Sequence, residues 1–101
     1  MANKIDVKNL NHPGKVKSVD AAMYAAMRRA YLQIVPKEAP GLTLDAIRER
    51  LPAALPHELF PGGAKAKWWA KTVQLDLEAR GIIVRDKSSP LRIRKLRQSP
   101  G

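Results

Sequence analysis

The chain has 101 residues, with nineteen Lys and Arg against nine Asp and Glu, for a formal net charge of +10. Its length suits one domain, and at 45% hydrophobic and 28% charged it is globular rather than disordered in composition. It has no Cys, which excludes a disulfide framework, a thiolate zinc site and a Cys nucleophile.

No apolar run approaches the roughly 18 residues of a membrane span. The opening residues lack a secretory apolar segment. A cytoplasmic protein with no membrane partner is expected. The charge is uneven. Residues 1–18 carry +3, residues 19–60 are neutral, and residues 61–101 carry +7. Excess positive charge at two ends suggests a polyanionic partner.

Residues 1–17 read as an N-terminal arm. Ile5 and Val7 alternate with Lys4, Asp6 and Lys8, as in a short strand, and a turn follows at residues 11–14. Ser18 is placed to cap a first helix running to about Val35. Met23, Met27, Ala30 and Ile34 form its apolar stripe, flanked by Tyr24 and Tyr31. Arg28, Arg29 and Gln33 face outward. Thr43 caps a second helix, with Leu44, Ile47 and Leu51 inward, ended by Pro52. Residues 52–63 form a linker with at most one helical turn.

A third helix is expected over residues 64–80, with Gly81 as a left-handed cap. Trp69 or Ala70, Val73 and Leu77 face inward, and Lys67, Lys71, Gln74 and Glu78 face away. Trp68, Thr72 and Leu75 lie on a third side, wide enough for a second neighbour. Residues 82–85 and 91–96 then read as the strands of a hairpin. The organisation is an arm over 1–17, a domain over 18–96 and a tail over 97–101.

The fold class is mainly α with a C-terminal β-hairpin, an α+β arrangement. Three helices and then a hairpin resemble a winged helix-turn-helix domain. The text at residues 41–47 and 73–83 carries that resemblance. The linker before the third helix departs from it, because a helix-turn-helix joins its helices by about three or four residues. A second resemblance is to a family of small uncharacterised bacterial proteins, a domain of unknown function. Its shared text includes His12-Pro13-Gly14, Pro40-Gly41-Leu42-Thr43, Phe60-Pro61-Gly62-Gly63, Trp68-Trp69 and Gln74-Leu75-Asp76-Leu77-Glu78. It implies a bacterial source and no activity.

No catalytic set emerges. His57-Glu58 lacks a second His four residues on, and Asp76 and Glu78 project from different helix faces. No enzyme, cofactor or metal is expected. The candidate site residues are nucleic-acid contacts. Lys65, Lys67 and Lys71 on the third helix, with Arg85, Arg92 and Arg94 on the hairpin, would meet phosphates. Gln74 is the best candidate for a base edge. Gly62-Gly63 ahead of the lysines could favour an anion or a small phosphorylated ligand. At least one of Trp68 and Trp69 belongs to the core. With five aromatics in the chain, both are expected there, and a spare ring would stack on a base or cover a partner.

The expected function is nucleic-acid binding dominated by the phosphate backbone, possible for a transcriptional regulator, with DNA favoured over RNA. The alternative is a winged-helix interaction module for an acidic protein, with no nucleic-acid role.

Overall fold

The computed structural model describes residues 3–9, 11–12, 14–38, 40–86 and 90–96. Its elements run β1 (Lys4–Lys8), β2 (Val16–Asp20), α1 (Ala21–Ile34), β3 (Leu42–Thr43), α2 (Leu44–Ala54), a 3-10 turn (Pro61–Gly63), α3 (Ala66–Ala79), β4 (Ile83–Asp86) and β5 (Arg92–Lys95). Two antiparallel sheets form, one of β1 and β2 and one ordered β3-β5-β4. The C-terminal hairpin and the three helices are as expected. The tail over 97–101 lies outside the described residues.

The N-terminal segment is not a separate arm. Pairing sets Ile5 opposite Val19 and Val7 opposite Lys17. Directly paired residues share a face, so Ile5, Val7 and Val19 point together. Val7 and Val19 are buried in the same core as the helices. Two apolar side chains on one face, and hydrogen bonds joining Lys8 and Asp6 to residues of α3 and its cap, bind the segment to the domain.

This ladder also moves the cap of α1. Ser18 sits inside β2, opposite Asp6. The strand runs on to Asp20, whose carboxylate accepts from the Met23 N–H at 3.0 Å. Asp20 rather than Ser18 satisfies the first turn. Met27 and Ala30 of the expected stripe are buried and Met23 and Ile34 half-buried, while the flanking Tyr24 and Tyr31 are buried as well, and Pro36 follows the last turn.

Thr43 caps α2 as expected, accepting from the Ala46 N–H at 3.2 Å. Pro52 does not end that helix, which continues to Ala54. Proline's fixed φ is itself helical, and here its missing N–H removes a bond only in the final turn. Ile47, Leu51 and Phe60 are buried in the same core.

α3 packs on α1, and its Trp69, Ala70, Val73 and Leu77 are buried in the common core. Its C-terminus closes on Gly81 at φ 74°. The Gly81 N–H donates to the Glu78 carbonyl at 3.1 Å and the Ile82 N–H to the Leu77 carbonyl at 2.9 Å. Those two bonds satisfy carbonyls that a helix end leaves open.

Candidate nucleic-acid interface

α3 begins without a side-chain cap. Its entry residue, Lys65, holds a left-handed conformation at φ 64°. The first two turns then present Lys67, Trp68 and Lys71 outward, while Trp69 and Ala70 turn into the core. Lys65, Lys67 and Lys71 are all exposed, as expected. The two ion pairs among the described residues are Arg80–Asp76 and Arg85–Glu78. No carboxylate of the described residues therefore neutralises these lysines.

The tryptophans divide. Trp69 is 6% exposed and Trp68 is 46% exposed. The rings meet edge to face, with centroids 5.1 Å apart and planes at 86°. One ring fills the core, correcting the expectation that both do.

The third side of α3 finds its neighbour in β1. Between the N-terminal hairpin and α3 lies an open groove of about 450 Å³. Lys8, Lys15, Lys17 and Lys71 line it, together with His12 and Trp68. Asn9, Thr72, Val7, Val16 and Leu75 line it as well, and none of the described lining residues carries a negative charge. Lys17 shares the inward face of the hairpin with Val7, and its Nζ lies 4.7 Å from the Trp68 ring centroid. The hairpin lysines were not among the expected contacts. Their signal was the +3 of residues 1–18, read as an arm because α3, against which that hairpin packs, lies far along the chain.

The other face of α3 is structural. Gln74 is 7% exposed, and its Oε1 accepts from the Tyr31 hydroxyl at 3.1 Å. It cannot reach a base edge in this state, which corrects its assignment as a reader. Asp76 is fully buried. Its carboxylate accepts from the Tyr24 hydroxyl, from the Lys8 N–H at 2.7 Å and from Arg80 Nε at 2.8 Å. Arg80 also donates to the Asp6 carbonyl at 3.1 Å. These bonds pin β1 onto α1 and α3. Burial, and then the hydrogen bond to Asp76, pushes the Tyr24 hydroxyl up to about 12. Burial, and then the charge of Glu78, pushes Tyr31 up.

The hairpin arginines are split by the pleat. Arg85 is paired with Ile93, and Arg92 with Asp86. Ile93 is fully buried, so Arg85 shares the inward face. There it donates twice to Glu78, at 2.8 and 2.9 Å, and that bond raises its pKa. Arg92 donates to the Gly41 carbonyl at 3.2 Å. Arg94 lies opposite Val84 on the outer face. The neighbouring Lys95 closes the end of α1 through the Leu32 carbonyl at 2.7 Å. Of the three expected hairpin contacts, Arg85 and Arg92 are already engaged within the fold.

The described residues contain no group of three or more His, Asp or Glu able to hold a metal ion. No helix among them is long and apolar enough to cross a membrane.

A model of a family of unknown function, DUF6958, matches residues 4–93. The chain belongs to that family. The match begins in β1 and ends in β5, so the N-terminal hairpin falls inside the family region. No curated protein and no solved structure matches the chain.

Proposed function

We propose that this DUF6958 member is a winged-helix-like nucleic-acid-binding protein that grips the phosphate backbone. The observation that carries the reading is the groove between the N-terminal hairpin and α3. Among the described residues, four lysines line it and no carboxylate does. Lys65 and Lys67 extend the same charge along the start of α3. The strand order β3-β5-β4, with β3 ahead of α2, supports a winged-helix-like arrangement. The role is binding rather than catalysis, and the affinity comes mostly from released counterions.

Gel shifts on duplex DNA and on RNA at two salt concentrations test the reading. With six lysines each neutralising one phosphate, log K on duplex falls with log salt at a slope of about −5. Reversing Lys67 and Lys71 to Glu flattens that slope. Absence of binding at low salt, or binding indifferent to the reversal, overturns the proposal.

One observation favours an acidic protein partner instead. Val16 and Trp68 are exposed apolar groups in the same lysine-lined groove. Retention of an acidic peptide with no affinity for any nucleic acid would select that reading.

A further inference from the structure

We propose that the hairpin–α3 groove selects single-stranded over duplex nucleic acid by stacking an unpaired base on Trp68. This rests on the nucleic-acid reading above. Lys8, Lys15, Lys17 and Lys71 hold the flanking phosphates.

Trp68 is nearly half exposed, although its indole is the largest apolar side chain available for burial. Its buried neighbour Trp69 meets it at 86° and fixes its setting on the helix. The ring presents a face to the groove, because the Lys17 ammonium sits 4.7 Å from its centroid. That contact holds the place of a ligand weakly. An exposed cation–π contact contributes about 2- to 5-fold. A stacked base contributes about 5- to 150-fold. A base therefore displaces the ammonium, and Lys17, exposed and on a flexible stem, turns to a phosphate.

A strand has what this groove needs and a duplex does not. The bases of a duplex are paired and stacked on one another, so none offers a free face to an indole. About 450 Å³ accommodates a nucleotide-sized segment. Thr72 and the side-chain amide N–H of Asn9, whose oxygen accepts from the Asn11 N–H, supply polar groups in the groove for base edges.

The test is fluorescence anisotropy at 50 mM salt with four labelled probes of about twelve nucleotides: oligo-dT, oligo-U, an abasic strand of equal length, and a duplex. Both base-bearing strands are expected to bind at least about tenfold tighter than the duplex and the abasic strand. Trp68→Ala is expected to lose about tenfold on the strands and nothing on the duplex, while Trp68→Phe keeps most of the affinity. Thermal melting checks that both variants fold. Undiminished strand binding by Trp68→Ala, or an abasic strand held as tightly as oligo-dT, overturns the stacking assignment alone. Failure to bind all four probes overturns the nucleic-acid reading with it.

Discussion

The Tyr24 hydroxyl donates its hydrogen bond to the Asp76 carboxylate, across 52 residues of sequence, inside the core. With Arg80 and the Lys8 amide on the same carboxylate, Asp76 joins α1, α3 and β1 at one point. Asp76→Ala leaves an arginine, a hydroxyl and an amide without their acceptor. The expected loss is about 3–5 kcal/mol, against about 1–2 kcal/mol for Tyr24→Phe, which removes one donor. Urea unfolding of the two variants checks the order. Equal losses would show that Asp76 is no hub.

Both core tyrosines make stability fall in alkali. In the unfolded chain each ionises near its ordinary value of about 10. In the fold Tyr24 holds its proton to about 12, and Tyr31 is shifted in the same direction. Their contribution is complete below pH 10 and is lost as pH rises towards the folded values. Each tyrosine adds at most about 1.4 kcal/mol per pH unit to the slope. Thermal midpoints measured from pH 9 to 12 should show the decline, shallower in Tyr24→Phe.

Gly41 and Gly81 both hold positive φ, but substitution should separate them. A Cβ on Gly41 would stand 2.4 Å from the Ile93 carbonyl oxygen, whereas one on Gly81 meets nothing within 4 Å. Gly81→Ala costs about 1–2 kcal/mol for the left-handed backbone. Gly41→Ala adds about 1–3 kcal/mol because strands β3 and β5 must move apart. Denaturation midpoints of the two single variants decide this.

Arg85 and Arg94 sit on adjacent strands but should respond to different assays. Arg85→Ala leaves the almost buried Glu78 carboxylate without its bidentate partner and costs about 2–3 kcal/mol of stability. It leaves the salt slope of binding unchanged. Arg94→Glu is neutral for stability. If a phosphate reaches the outer face of the sheet, the same change lowers the salt slope by about one. Parallel unfolding and salt titrations separate the two roles.

The third helix was legible because its stripe of Trp69, Val73 and Leu77 ends on a glycine whose only role is to reverse the chain. The C-terminal hairpin was legible from β-branching at Ile82, Ile83 and Val84. β2 was not. Val16 points to solvent while Val19 points inward, so the segment lacks a clean alternation until β1 supplies its register. β3 is two residues long and exists only because β5 pairs with it. Gln74 was misread for a different reason. A helical wheel places amides outside by polarity, and only the distant Tyr31 hydroxyl makes an inward amide favourable.

The Lys8–Asp76 bond also sets an order of events during synthesis. Its two ends are 68 residues apart. At about 5–20 residues per second, the first strand precedes its anchor on α3 by roughly 3–14 s. The hairpin can form early and α1 can pack on it, but the side of β1 that α3 covers stays open until α3 is made. The lysines around that hairpin repel one another over this interval, which disfavours association between nascent chains.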